Sequence, residues 1–307
     1  MAAINSPPAP TLDGTLGIVQ VGMVAATWLF GIESLQTFNY YKYFEKDGNY
    51  VRTLVAVVWF LELGSFIACW HAMYSMTITF YGQPEHIASP PLSLVFVVLF
   101  NVLIDVIVQS FFAYRVKVLS SRWHIPILCC AVNAVRLAFN LELFVRLLER
   151  PVFALLRTKF KWDIIVASAF PLALDIIIAG SLIHLLWHRR NTQFEQTNRI
   201  VDTIIMWTVE TTFVTTMSVA MQLILFVARP HDFSWLFFII IQGKLFSNSM
   251  MASLNGRTRL RNSSDLNRLA VDSTHHTVTN TALAIRVQQT TATTYEHAKR
   301  DTLLLPA

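Results

Sequence analysis

Seven long apolar stretches constrain the fold of this chain more than any other feature of its sequence. They cover residues 16–38, 53–77, 92–114, 125–148, 164–187, 203–228 and 233–254 of the 307-residue chain. Each is long enough for a helix rising 1.5 Å per residue to cross a hydrocarbon core of about 30 Å. Only nine charged side chains lie inside these stretches. A soluble one- or two-domain fold is therefore excluded.

Backbone polar groups in hydrocarbon must be satisfied within the segment, so spans of this length are predicted to be helices. The connections are short, which makes consecutive helices neighbours. The sequence predicts an all-α polytopic membrane protein, a seven-transmembrane-helix bundle over residues 16–254. An irregular arm of residues 1–15 precedes the bundle, and a mostly disordered tail of residues 255–307, arginine-rich and then threonine-rich, follows it.

The basic residues outside the stretches predict the orientation of the chain. If the N-terminus lies outside, 16 lysines and arginines fall on the cytoplasmic side and 5 on the outer side. The positive-inside rule therefore favours an N-out, C-in topology. This explains the net charge of +5 without nucleic-acid binding. We expect a multi-pass integral protein whose main partner is the lipid bilayer, in the plasma membrane rather than in internal membranes.

Three arginines follow the last apolar stretch at a spacing of two, namely Arg257, Arg259 and Arg261. Arginines at a membrane exit attract anionic lipid headgroups by about 1 kcal/mol each. Lipid headgroup contacts are therefore one interpretation of these arginines. The preferred interpretation is that the charges only fix the topology.

Six ionisable residues lie near the middle of six different stretches. Such groups cost about 2.5 to 3.5 kcal/mol each at a helix centre, so each is expected to turn inward to find partners. We therefore predict a shared polar centre in the bundle, formed in part by Glu62, Asp105, Arg136, Asp175, Glu210 and Lys244.

Polar neighbours extend this prediction along two helices. Asn101, Asp105 and Gln109 are four residues apart and share one helical face. Lys244 and Asn248 do the same in the last stretch. With these amides included, the intramembrane polar cluster becomes a candidate ligand or proton site.

The charges of the six ionisable residues do not balance. Four are acids and two are bases, which gives −2 if all ionise. Because a net charge is unfavourable in a low dielectric, we expect one or more acids to be protonated, or a cation or basic ligand to complete the site. The alternative is a purely structural network that fixes helix register.

No pattern in the sequence indicates catalysis, a metal or a cofactor. All three cysteines lie inside apolar stretches, and no histidines or carboxylates pair at metal-ligand spacing on one helix. No nucleophile elbow, glycine-rich phosphate loop or zincin helix is found. The chain is not expected to be an enzyme.

Three membrane functions come into question. A retinal protein would use Lys244 and an acidic partner such as Asp105, but the sequence around Asp105 does not match a rhodopsin third helix. A receptor coupled to G proteins fits the span count and topology but lacks the familiar motifs, since Ala113-Tyr114-Arg115 ends the third stretch. A proton- or cation-coupled transporter or channel is favoured by the excess carboxylates. A receptor-like or sensory role, with an unknown small-molecule ligand, is slightly preferred.

Several short motifs resemble a family of fungal, mainly basidiomycete, seven-helix membrane proteins of unknown function. The most specific is Leu254-Asn255-Gly256-Arg257, a Leu-Asn-x-Arg motif at the end of the last stretch. Other matching segments are Leu35 to Thr37, Tyr40-Tyr41 before Lys46-Asp47, Phe111 to Arg115, Leu174 to Ala179 and Lys244 to Ser249.

The resemblance covers roughly residues 14–261 and implies architecture and membrane location, because the family has no established activity. The chain departs from the family at two positions. Glu62 stands where the family often has Asp, and Glu210 with Thr211 and Thr212 stands near a Thr-Gly pair of the family. The second change adds a carboxylate to this bundle.

Overall fold

The computed structural model describes residues 13–83, 89, 91–120, 123–149, 161–189, 195–229 and 233–257. Most of the N-terminal arm and nearly all of the tail, including Arg259 and Arg261, lie outside the described residues. The predictions made for those segments therefore stay predictions.

The described residues form seven long helices and no strand. These are α1 (Ile18–Tyr43), α2 (Asn49–Tyr74), α3 (Leu92–Ser120), α4 (His124–Glu149), α5 (Lys161–Arg189), α6 (Glu195–Ala228) and α7 (234–257). One π-helical turn, Asp13–Gly17, precedes α1, and a second, Ser75–Thr79, extends α2. The all-α prediction is confirmed.

Five of these helices are long and apolar enough to cross a membrane. They are Ile18–Tyr43, Asn49–Thr79, Leu92–Val118, Pro126–Glu149 and Lys161–Ser181. In α6 the apolar part is shorter, Thr212–Ala228, and Gln242, Lys244 and Asn248 interrupt the middle of α7. The chain is thus a multi-pass membrane protein.

The outer surface of the bundle is strongly apolar. Trp28 on α1 is 75% exposed, Phe60 on α2 64% and Phe213 on α6 63%. Soluble monomers rarely expose large apolar patches, because burying apolar area in water stabilises the fold. A surface of this kind is suited to contact with acyl chains.

Two hydrophobic clusters show that consecutive helices run in opposite directions. One cluster joins the starts of α1, α3, α5 and α7 to the ends of α2, α4 and α6, through residues that include Val19, Cys69, Leu94, Leu147, Ile164, Phe226 and Trp235. We call this the N-terminal end of the bundle. The other cluster includes Tyr40, Val55, Val116, Cys129 and Leu254 and marks the C-terminal end of the bundle.

Helix α3 lies at the centre of the arrangement. It packs against α2, α4 and α5, and Asn101 links it to the backbone of α7. Helix α7 is also fastened to α1, because Asn248 Nδ2 donates to the carbonyl oxygen of Leu29 (3.0 Å) and Asn255 Nδ2 to that of Gln36 (2.8 Å). The polar faces of α3 and α7 therefore both point into the bundle.

Candidate functional site

The polar face of α3 supplies three buried side chains that bond residues of α4 and α7. Asn101 Nδ2 donates to the carbonyl oxygen of Ile239 on α7 at 2.6 Å. Asp105 pairs with Arg136 of α4, and the Nη2 to Oδ2 distance is 2.5 Å. Gln109 Oε1 accepts from Arg136 Nη1 at 3.3 Å. One face of α3 thus contacts both α4 and α7.

The Asp105–Arg136 pair is almost fully buried, since the two side chains are 1% and 3% exposed. Gln242 of α7 adds a donor, because its Nε2 lies 2.8 Å from Asp105 Oδ2. Removing two charges from water is costly, and neutral hydrogen bonds from the surroundings offset part of that cost.

A second carboxylate, Asp175 of α5, lies next to this pair. Asp175 Oδ1 accepts from Gln109 Nε2 at 3.0 Å, and Oδ2 accepts from the Thr215 hydroxyl of α6 at 3.2 Å. Both carboxylate oxygens therefore have a neutral donor. We call Asp105, Arg136 and Asp175 the arginine centre.

A separate charged group connects α1, α2 and α7. Lys244 Nζ lies 2.9 Å from Glu62 Oε2, and both side chains are 0% exposed. The ammonium also donates to Ser65 Oγ at 3.1 Å. Glu33 of α1 is equally buried and lies close enough to Glu62 and Lys244 for electrostatic interaction with both. We call Glu33, Glu62 and Lys244 the lysine centre.

The two centres meet at Gly243. A Cβ atom at this position would collide with Asn101 Oδ1 of α3 and would lie 3.2 Å from Glu62 Oε1 of α2. The missing side chain therefore lets α7 approach α2 and α3 closely enough to bury the polar groups of all three helices.

A cavity of about 100 Å³ lies between the arginine centre and the N-terminal end of the bundle, and we describe it as above the arginine centre. Leu94 and Asp105 both line it, and eleven residues of helix span about 16 Å. The cavity thus extends from the N-terminal end of the bundle to mid-depth. Its walls are largely apolar and come from five helices, with residues such as Val98, Leu143, Ile164, Leu236 and Ile239.

Several polar atoms along this cavity are buried without a hydrogen-bond partner in the part of the chain that the structure describes. They are the acceptors Asn101 Oδ1, Asp105 Oδ1 and Gln222 Oε1 and the donors Arg136 Nε and Trp235 Nε1. Buried polar groups are nearly always hydrogen-bonded in native proteins. A bound molecule or ordered water is therefore needed to complete this site.

The structure places eight of the nine sequence-predicted residues in the interior, although not in a single centre. Asn101, Asp105, Gln109, Arg136 and Asp175 belong to or adjoin the arginine centre, and Glu62 and Lys244 form the ion pair of the lysine centre. Asn248 fastens α7 to α1.

The expectation that every mid-depth charge turns inward is wrong for Glu210, which is exposed on α6. The buried face of that helix includes Thr212 and Thr215. Two residues correspond to about 200° around an α-helix, so Glu210 points away from Thr212.

Glu33 is the buried carboxylate that the sequence analysis missed. It lies near the end of the apolar stretch 16–38, but α1 continues to Tyr43, so Glu33 is close to the middle of the helix. Tyr40 and Tyr41 extend the helix beyond the apolar stretch. These aromatic residues could have indicated that Glu33 lies near the middle of the helix.

Arg115 is a second functional candidate that the sequence did not identify. Its guanidinium donates to the hydroxyl of Ser253 on α7 and lies 5.1 Å from the centre of the Phe111 ring. It therefore connects α3 to α7 at the C-terminal end of the bundle. Arg257, at the last turn of α7, is half-buried.

Among the described residues, no three histidine, cysteine, aspartate or glutamate side chains come together to hold a metal ion. Neither centre places a nucleophile beside a histidine base. The two centres offer hydrogen-bonding groups and charges to a bound molecule.

Comparison with known proteins adds one finding. Residues 171–259 match the model of a family of unknown function (DUF6534), a segment that runs from within α5 through α7. This match fits the family resemblance of the sequence motifs. Searches of curated proteins and of solved structures gave no match.

Proposed function

We propose that this chain is a receptor-like seven-helix membrane protein that binds a small molecule in the cavity above the arginine centre. In this proposal all seven helices cross the membrane, with the N-terminus outside and the tail in the cytosol. The N-terminal end of the bundle then faces outward, and the cavity receives its ligand from outside the cell. The plasma membrane of a fungal cell is the proposed location, following the resemblance of the sequence motifs.

One observation carries this proposal, namely a cavity lined by residues whose buried polar atoms have no partner in the part of the chain that the structure describes. A structural ion-pair network would need no space beside it. Here Asp105 and Arg136 each keep one polar atom without a partner among the described residues, and both line the cavity. Concave, mostly apolar sites with a few convergent polar groups are typical of small-molecule binding.

The lining indicates the chemistry of the ligand. The opposite charges of Asp105 and Arg136 compensate each other at 2.5 Å, so a neutral ligand fits better than an ion. Three free acceptors and two free donors along the cavity suit a group that both donates and accepts, such as a hydroxyl or primary amide. The aliphatic walls suit an apolar body.

The volume limits the size of the ligand. A dry cavity of about 150 Å³ accommodates benzene, so about 100 Å³ holds a polar group with a few adjoining carbons. Short-chain alcohols and amides are therefore the first compounds to test.

Helix α7 is the element through which binding is proposed to act. A ligand that donates to Asn101 Oδ1 binds the same amide whose Nδ2 donates to Ile239 of α7 at 2.6 Å, so its binding is coupled to the position of α7. At the other end, α7 is connected to α3 by Arg115 and Ser253. A shift of α7 would therefore change contacts at the cytosolic side, where Arg257, Arg259 and Arg261 are proposed to contact anionic lipid headgroups.

The test is a thermal-unfolding screen of the purified full-length chain against short neutral alcohols and amides. Val98→Trp fills the cavity, because Val98 lines it. Val57→Trp is the matched control, because Val57 is 42% exposed on α2. A ligand should raise the Tm of the wild type and of Val57→Trp but not of Val98→Trp. Equal responses of both variants, or no response to any compound, would contradict the proposal.

A proton- or cation-coupled carrier remains the second candidate, favoured by four buried carboxylates against two buried bases. The two functions differ in solvent access. A carrier opens Asp105, Asp175 and Lys244 alternately to each side of the membrane, whereas a receptor does not. Cysteine accessibility scanning along α3, α5 and α7 from both sides distinguishes them. No enzymatic step and no cofactor form part of either candidate.

A further inference from the structure

The lysine centre contains carboxylate oxygens that nothing in the described part of the chain satisfies. Glu33 is 0% exposed, and neither of its carboxylate oxygens has a hydrogen-bond partner among the described residues. Glu62 Oε1 is also buried without a hydrogen-bond partner among the described residues, although Glu62 Oε2 pairs with Lys244. An unpaired buried charge is far costlier than an unpaired neutral group.

Neighbouring amide groups add further acceptors. Asn101 Oδ1 lies beside Glu62 Oε1 at Gly243, and Asn248 Oδ1, one turn from Lys244, is also unpaired within the described residues. The Ser247 hydroxyl donates to the carbonyl oxygen of Lys244 at 3.2 Å and lies close enough to Glu33 to act as a weak donor. The open oxygens of Glu33, Glu62 and the two amides outnumber the donors near them and require a positive or donating partner.

The charge of the centre is also unbalanced. If both carboxylates ionise, Glu33 and Glu62 carry two negative charges and Lys244 one positive charge, which leaves −1. At the arginine centre the third charged group is likewise a carboxylate, but Asp175 receives hydrogen bonds from Gln109 and Thr215. Among the described residues, Glu33 has only the weaker interaction with the Ser247 hydroxyl.

We propose that the lysine centre binds a monovalent metal cation between Glu33 and Glu62. Carboxylate and amide oxygens are the ligands that hard cations prefer. A charge of +1 neutralises the centre, whereas a divalent ion would leave an excess positive charge beside the ammonium of Lys244. A bound water molecule would donate only two hydrogen bonds and would not change the net charge of the lysine centre. Protonation of Glu33 would provide one hydrogen bond, to a single neighbouring acceptor.

Sodium is the probe for this site, and the test does not involve the ligand of the outer cavity. The purified full-length chain is unfolded by heat in NaCl and in N-methylglucamine chloride at equal ionic strength. A ligand that binds only the folded state raises the Tm, and we expect a rise of about 3–6 °C in sodium for the wild type.

Glu33→Gln and Glu210→Gln are the matched variants. Both replace a glutamate on a membrane helix by its amide, but Glu210 is exposed on α6. The sodium effect should vanish in Glu33→Gln and persist in Glu210→Gln. Equal midpoints of the wild type in the two salts, or loss of the effect in both variants, would overturn the proposal.

Binding of ²²Na⁺ to the wild-type protein gives a second readout that does not depend on the folding of any variant. We expect saturable binding of about one ion per chain, displaced by unlabelled NaCl. Absence of saturable binding would overturn the proposal. The proposal would also be overturned if acidification without sodium raised the Tm by as much as sodium does. Protonation of Glu33 alone would then stabilise the centre.

Discussion

The arginine and lysine centres have the same charges but very different surroundings. Each contains two buried carboxylates and one buried base. The nitrogen-to-oxygen distance of the ion pair is 2.5 Å at the arginine centre and 2.9 Å at the lysine centre. At the arginine centre, neutral side chains hydrogen-bond the second carboxylate and a cavity adjoins the pair. At the lysine centre the second carboxylate, Glu33, has only a weak donor, the Ser247 hydroxyl, among the described residues, and none of the three charged groups lines that cavity.

This difference shows that the number of buried charges does not determine what a site can do. At the arginine centre an arginine or neutral side chains donate to both carboxylates and a cavity adjoins the ion pair, which suits a neutral molecule. The lysine centre is enclosed and short of positive charge, which suits a small cation. The following variants test this contrast, in order of decreasing effect.

Lys244→Met is expected to have the largest effect. It leaves Glu62 and Glu33 buried without a compensating charge, and breaking a buried pair in this way costs about 3–5 kcal/mol. Arg136→Met should cost less, because Gln242 still donates to Asp105 and the cavity admits water. The free energy of unfolding of the reconstituted protein measures both. An equal or larger cost for Arg136→Met would show that the two centres are equally enclosed.

Gly243→Ala is expected to have an intermediate effect, because it tests the point where the centres meet. The added methyl group collides with Asn101 Oδ1 and crowds Glu62 Oε1, and overpacking of this kind costs about 1–3 kcal/mol. Gly180→Ala on α5 is the control, since no atom lies within 4 Å of the new methyl group. It should be neutral or stabilise by up to about 1 kcal/mol. Similar unfolding free energies for the two variants would argue against close contact of α7 with α2 and α3.

Replacing the second carboxylate of each centre by its amide should give the smallest difference. Asp175→Asn should destabilise the protein by about 1–3 kcal/mol, because Gln109 or Thr215 then loses its acceptor. Glu33→Gln, measured without sodium, should change the free energy of unfolding by less than about 1 kcal/mol, because it removes an uncompensated charge and breaks no hydrogen bond. A larger cost for Glu33→Gln than for Asp175→Asn would reverse the proposed contrast.

The helical fold was predictable because the requirement for it is local. Any segment in hydrocarbon has to satisfy its own backbone groups, so apolar length alone indicates a helix. Side-chain direction was predictable where several polar residues share one face, as at Asn101, Asp105 and Gln109, which are all buried.

Single charges without such neighbours were less predictable. Glu210 lies near the middle of the stretch 203–228, but its position two residues before the buried Thr212 directs it outward. Glu33 was missed because the apolar stretch ends at residue 38, whereas the helix ends at Tyr43. Hydropathy locates the edge of an apolar stretch, and a helix extends beyond that edge when aromatic and polar residues continue it.

The separation into two centres and the cavity could not be predicted from the sequence. Both depend on which helices are neighbours across the bundle, and residues from five helices line the cavity. The pairing of Lys244 with Glu62 rather than Asp105 is likewise set by the rotation of α7, which Gly243, Asn248 and Asn255 fix through contacts with α1, α2 and α3.

The central claim is that the cavity above the arginine centre opens to the outside of the cell. The most direct measurement is labelling of Val98→Cys in intact cells by a membrane-impermeant maleimide, with Cys69, Cys129 and Cys130 replaced by serine. We predict that Val98→Cys reacts and that Val116→Cys, fully buried near the C-terminal end of the bundle, does not. Failure of Val98→Cys to react, or its reaction only after the membrane is permeabilised, would contradict the account.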